Sequence, residues 1–275
     1  IVAIVSNPVD DEIPISYDAC SRHARQFEFH PCGPHTVMYA QALDGGDAEQ
    51  EPSADGERDA LYSRDILLLG EDDADTATAT IELQEPVKVC GLEWRYDGIA
   101  VSESGTFALV NEYRWKDRME RKWKVDLLGE KHEKELVWER SWEDRYSSPG
   151  SPLQRLGPNG QHLVVEPSPN SIFLQGAGAS PLRDRPFLDR MDLKTGHKER
   201  LWRCRAPKEE GTEQLDASLE VGGKTPPERL DVFETFVTLL KDNNSILIGR
   251  ESKTTPRNYF LTTLSNLSDE VTVTN

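Results

Sequence analysis

The chain has 275 residues, enough for one large all-β domain or two smaller ones with a real core. Apolar residues make up 36% and charged residues 29%, so a core must come from short strands with charged outer faces rather than from long buried helices, and there is no membrane-length apolar run. The 49 acidic residues outnumber the 32 basic ones, and the net charge of −17 repels a phosphate backbone, which argues against nucleic acid as a partner.

The chain opens at Ile1 with IVAIVSNPVDDEIPI, which has no initiator Met and no basic stretch leading to a cleavage site. It therefore reads as a piece of something longer, with no visible targeting segment. From there, short segments rich in Val, Ile, Thr, Phe and Trp recur between Gly, Pro, Asp and Asn. In chain order they are FEFH, HTVMYAQAL, RDILLLG, TATATIEL, IAVSES, TFALVNEYR, RKWKVDLL, ELVWER, HLVVEP, SIFLQG, FLDRMDL, KERLWRC, FETFVTLL, SILIGRES and NYFLTTLS. Many short strands at near-regular spacing predict a sandwich, a barrel or a propeller. Grouped by the length of a propeller blade, they fall at roughly 22–86, 87–140, 144–205 and 230–275. Two acidic, Gly-, Pro- and Ser-rich inserts, residues 43–60 and 206–230, are expected to be solvated loops.

In RPFLDRMDLKTGHKERLW, residues 185–202, apolar and charged positions nearly alternate on both sides of Thr195-Gly196. This predicts a β-hairpin, with Gly196 supplying the positive φ of the turn. Leu188 or Met191 would pack between sheets, and Trp202 would meet the next sheet.

Chemistry-bearing residues are sparse. A G-x-S-x-G nucleophile elbow is absent; GAGASPL comes closest, but Leu182 stands where the second Gly is required, and the stretch reads as a loop after SIFLQ. His23, His30, His35, His132, His162 and His197 form no HExxH pair or close His/Cys group, so they read as surface or loop histidines. Cys20, Cys32, Cys90 and Cys204 are widely spaced without CxxC and read as scattered thiols. Asp44 and Asp47 around two glycines in LDGGDA form a loop tip, without the terminal Glu of an EF-hand. No metal or other cofactor is expected. In SWEDRYSSPGSP, Trp142 and Tyr146 either anchor a loop between sheets, or Arg145 and its acidic neighbours line a surface that meets another domain.

Four stretches taken in order, DGGDA (44–48), SWEDRYSSPGSP (141–152), GAGASP with RPFLDRMDLKTGHKERLW (176–202) and RESKTTPRNY (250–259), resemble the propeller region of plant chloroplast glutamyl endopeptidases and their bacterial relatives, within the prolyl-oligopeptidase family of serine peptidases. The resemblance implies an all-β partial β-propeller over residues 1–275, about four blades of a seven-bladed propeller, whose partner is the α/β-hydrolase domain of the same parent chain. That domain would hold the Ser, Asp and His of acyl transfer, so no catalytic residue carries over to this chain. The propeller's share is selection: it covers the site, excludes folded substrates and touches the bound peptide. A preference for Glu needs a cationic partner, for which arginine's planar fork is suited. Arg145, Arg183, Arg185 and Arg250, all in or next to the matched stretches, are the candidate substrate contacts. The compartment implied is the chloroplast stroma, or the cytoplasm if the plant-type likeness fails. Two other classes stand beside this reading. One is a stand-alone propeller acting as an interaction scaffold; the other is a carbohydrate-active propeller, which needs a channel carboxylate pair that no spacing here identifies.

An open arc of blades exposes strand edges that template association. Expressed alone, the chain is expected to elute from size-exclusion chromatography as an oligomer or to precipitate despite its net charge of −17. A compact soluble monomer would count against the open arc and favour the scaffold.

Overall fold

The computed structural model describes residues 3–9, 13–33, 35–69, 80–128, 132–181, 183–205 and 232–273. Within them the protein is all-β, with antiparallel pairing in every sheet and a single turn of 3-10 helix at Trp115–Asp117. The chain divides into two compact units, residues 1–143 with 154–165, and residues 144–153 with 166–275.

The first unit begins with a five-stranded sheet. It comprises β1 (Arg25–Phe29), β2 (Thr36–Ala42), β3 (Asp59–Leu69), β4 (Thr80–Leu83) and β5 (Val87–Leu92). β3 is long enough to serve two partners: its first half pairs with β5 and its second half with β4. A four-strand meander follows, β6 (Arg95–Val101), β7 (Phe107–Arg114), β8 (Met119–Asp126) and β9 (Lys134–Ser141). β10 (Ser151–Pro152) belongs to the second unit, while β11 (Gln154–Leu156) and β12 (His162–Val164) return to the first as a small hairpin. Alternate residues of the two large sheets turn inward to build one core of Met38, Ala40, Leu61, Val89, Leu92, Tyr96, Val101, Ala108, Val110 and Val125, with Leu163 from the hairpin.

In the second unit β10 pairs with β13 (Ser171–Gly176), followed by β14 (Phe187–Asp192) and β15 (Lys198–Arg203). A second meander holds β16 (Phe233–Leu239), β17 (Ser245–Glu251), β18 (Asn258–Thr263) and β19 (Asn266–Thr272). The β14–β15 hairpin forms where the alternation placed it. Asp192 accepts the amides of Thr195 at 2.8 Å and Lys194 at 3.0 Å, and Gly196 has φ 70°. Leu188 stands opposite Trp202 in the register, both are buried, and the Trp202 ring lies 6.4 Å from Phe236 of β16.

Three expectations need correction or completion. VKVCGL was not among the expected strands, yet it forms β5. Its alternation is broken by Gly91, where a Cβ would come within 1.7 Å of Glu57 Oε1, so the strand is fixed by neighbours rather than by its own pattern. β19, NLSDEVT, is masked by three polar residues in a row. The insert 43–60 is not a purely solvated loop: Asp59 and Ala60 open β3, and Asp44 and Asp59 are 6% and 0% exposed. A surface loop has no use for buried carboxylates unless they are paired, and these are. The insert 206–230 and the start of TATATIEL lie outside the described residues.

Candidate functional site

The buried acids of the first insert meet one arginine. Arg95, at the start of β6 and 2% exposed, donates from Nη1 and Nη2 to Asp44 at 2.9 and 2.8 Å, and from Nη1 to Asp59 at 3.0 Å. Its Nε donates to the carbonyl of Asp18 at 2.6 Å, and Nη1 also shares a contact with the carbonyl of Arg58 at 3.2 Å. Asp44 also accepts Arg58 Nη1 at 3.0 Å and the Gly46 amide at 3.1 Å, while Asp59 accepts the Tyr96 amide at 2.7 Å and the Arg25 guanidinium. Burial opposes the charge on Arg95, but its hydrogen bonds to Asp44 and the field of Asp59 outweigh it and lift its pKa above the ordinary arginine value. The group is an ion network in which both oxygens of each carboxylate accept hydrogen bonds from the protein itself. Asp47, the other acid of LDGGDA, instead caps the turn, accepting the Glu49 amide at 3.0 Å and the Gln50 side chain at 3.2 Å.

The same rule holds for the other buried carboxylates. Glu112 binds the Trp94 amide and the Trp123 indole with Arg121 alongside, Asp189 pairs with Arg200, and Glu234 pairs with Arg250. Trp94 is contacted by two guanidiniums, Arg114 at 4.3 Å and Arg121 at 3.9 Å from its ring centroid.

The four arginines expected to contact substrate all lie in the second unit and occupy different settings. Arg250 is held by Glu234 at 2.7 Å and packs over the Phe260 ring at 4.4 Å, with its side chain 15% exposed. Arg183 donates to the carbonyls of Arg205 and Val232 at 3.1 and 2.9 Å, and Arg185 to that of Cys204 at 2.9 Å, so both clamp the chain around β15 and β16. Arg145 is the one facing water, 68% exposed, with Asp184 at 3.3 Å. In SWEDRYSSPGSP, the Trp142 ring sits 5.5 Å from Trp115, the anchoring role, but Tyr146, expected to anchor with it, is exposed, and Asp144 caps the turn that presents Arg145. Ser180 gives its hydroxyl to the Arg183 carbonyl at 2.5 Å, which fits the loop reading of GAGASPL.

One feature escaped the sequence reading. In the first unit, Glu28, Pro31, Met38, Ile99, Val101, Gln154, Gln161 and His162 line a cleft of about 260 Å³. Its residues come from five strands and two connecting segments, and no spacing in the sequence links them. Among the described residues no group of three or more His, Cys, Asp or Glu is arranged to hold a metal ion.

These observations define an all-β protein of successive antiparallel sheets braced by arginine–carboxylate pairs. Comparison with known proteins narrows the class. No family model matches the chain. It is 29% identical over 258 residues to the probable chloroplastic glutamyl endopeptidase of Oryza sativa subsp. japonica, and 29% identical over 269 residues to that of Arabidopsis thaliana. Each match covers 92% of this chain and 24% of the relative, so the chain spans about a quarter of the length of the curated relatives it matches. The resemblance to glutamyl endopeptidases thus extends well beyond the four motif stretches. Among solved structures the chain overlaps TolB from Acinetobacter baumannii (11% identity, TM-score 0.36, 88% of this chain and 42% of that one) and an oligogalacturonate lyase in complex with manganese (14%, 0.32, 82% and 53%). At such scores the overlaps carry no functional argument.

The ion network predicts unequal effects for two similar substitutions. Asp44→Asn leaves Arg95 and Arg58 short of a charge partner and should cost about 3–5 kcal/mol, whereas Asp47→Asn, at a half-buried turn with no ion pair to break and with an amide oxygen that can still cap, should cost about 1 kcal/mol or less. Urea denaturation of both variants measures the difference, and equal losses would contradict the network.

Proposed function

We propose that the chain is a substrate-gating β-propeller portion of a glutamyl-endopeptidase-like serine peptidase of the prolyl-oligopeptidase type, contributing about four blades at roughly 22–86, 87–140, 144–205 and 230–275. The observation that carries this reading is the similarity to glutamyl endopeptidases over 92% of the chain but only 24% of the relatives. The succession of antiparallel sheets, three of them four-stranded, supports it, because such sheets are the repeating unit of a propeller.

Peptide hydrolysis needs a base-activated nucleophile and oxyanion donors, and on this reading an α/β-hydrolase domain of the parent chain supplies them. The propeller then acts on the substrate before chemistry, admitting extended peptides and turning away folded ones. Of the four arginines, Arg145 is the substrate contact of choice, because its guanidinium is exposed and an exposed ion pair such as that with Asp184 exchanges at little cost. Both plant relatives are named chloroplastic, which supports a plastid location, with the stroma as the compartment where such a peptidase would meet peptides.

The test compares this chain alone with the polypeptide encoded by its whole reading frame, using a fluorogenic peptide with one internal Glu. The chain alone should show no turnover, and the whole product should cleave after Glu. In the whole product Arg145→Ala should raise KM about tenfold with little change in kcat, the signature of lost uniform binding. A whole product without peptidase activity, or of the same size as this chain, would overturn the proposal in favour of an interaction scaffold.

A further inference from the structure

The strand β1 reads RQFEF, and simple alternation would turn Phe27 inward together with Arg25 and leave Glu28 on the opposite, outer face. The pairing does otherwise. Arg25 stands opposite Ala40 and Glu28 opposite Met38, so Gln26 and Phe27 share the single position of Tyr39. This is a β-bulge, and Gln26 adopts φ 53°, a left-handed conformation that a non-Gly residue takes at a cost of about 1–3 kcal/mol. Its result is that both Arg25 and Glu28 lie on the face of the buried Met38. The two phenylalanines lie on the other face, 43% and 49% exposed, with Phe27 against Tyr39 at 5.4 Å. The bulge thereby brings the Glu28 carboxylate to the rim of the cleft.

Glu28 stands at the exposed rim of the cleft, a different setting from that of the buried carboxylates. Asp44, Asp59, Glu112, Asp189 and Glu234 each meet an arginine. Glu28 has only the neutral hydroxyl of Tyr96, donating at 3.1 Å, and among the described residues no cation lies within ion-pair distance of it. Partial burial lifts its pKa, with the Tyr96 hydroxyl pulling the other way. Around it, the side chains of Gln154, Gln161 and His162 make no hydrogen bond to another described residue, although each lines the cleft. Opposite these polar groups lie Met38, Ile99 and Val101.

We infer that this cleft is a binding site for a primary ammonium on an aliphatic stem, such as a lysine side chain of a bound polypeptide. An ammonium has three donors and no acceptor. The cleft offers the matching complement: the Glu28 carboxylate, two amide oxygens and, in its neutral form, the imidazole of His162. The half-buried Ile99, backed by the buried Met38 and Val101, gives the methylene stem an apolar contact. A glutamate side chain would be repelled here, so the site is separate from any selection of Glu at the cleaved bond, and it stands whether or not the peptidase reading does.

The chain holds three methionines, Met38 in the cleft and Met119 and Met191 away from it, so methyl-labelled methionine NMR reads the site directly. Titration with N-acetyl-lysine N-methylamide should shift the Met38 methyl signal saturably and leave the other two in place. The norleucine analogue, which keeps the stem and loses the charge, should produce no saturable shift at the same concentrations. Glu28→Gln should weaken lysine-probe binding at least tenfold while keeping the folded three-signal spectrum, and Gln161→Ala should weaken it severalfold. Equal binding of the two probes, an unmoved Met38 signal, or undiminished affinity in Glu28→Gln would each overturn the inference.

Discussion

Arg95 is held at 2% exposure by two carboxylates from either end of one loop, Asp44 after β2 and Asp59 at the start of β3, while its own backbone opens β6 in the next sheet. An arginine so placed is tolerable only if all its donors are met, because an unmatched buried charge costs several kcal/mol. Here every nitrogen of the guanidinium has an acceptor, with Nε on the carbonyl of Asp18 and both Nη atoms on carboxylates. The result is a constraint on several parts of the first unit at once: the loop 43–59 must close, the segment around Asp18 must lie against β6, and β3 must present Asp59 at its first residue. Apolar burial between the sheets supplies most of the driving force, but it does not specify register. The ion network does, since a one-residue slip of β3 would leave Arg95 facing a side chain that cannot accept its hydrogen bonds.

The bulge in β1 depends on the same network. Arg25 must face inward to reach Asp59, and Glu28 must face inward to border the cleft. Residues three apart on a regular strand lie on opposite faces, so only an extra residue between them satisfies both demands. Gln26 is that residue, and the outward phenylalanines follow from it. In this way a structural ion pair and an unpaired acid are linked through one irregular turn of backbone. In the second unit the analogous bracing is simpler, with Arg250 on Glu234 and Arg200 on Asp189 within single sheets.

Much of this was legible in the sequence where the cause is local. The hairpin at 187–203 could be read because Asp192, Thr195 and Gly196 carry the turn chemistry within five residues and the flanks alternate. The all-β class followed from short β-branched runs between turn residues. What could not be read depends on distant partners. Asp44 looked like a loop-tip acid because its partner Arg95 lies 51 residues away. Arg250 looked like a candidate substrate contact because its partner Glu234 sits on the neighbouring strand and not in the matched stretch. Glu28 was hidden by the bulge, which reverses the face that period-2 alternation assigns, and β5 by Gly91, whose role is to let Glu57 pass close to the backbone.

The most direct measurement of this account is native-state hydrogen exchange, residue by residue, on wild type and Arg95→Met. If Arg95 fixes the register of both sheets, the amides of β2 and β3 and those of β6 and β7 will lose protection together and by similar factors, since one event opens them. If protection falls only in the loop 43–59 while β6 and β7 exchange as in wild type, the network is a local loop fastening and the account of the first unit is wrong.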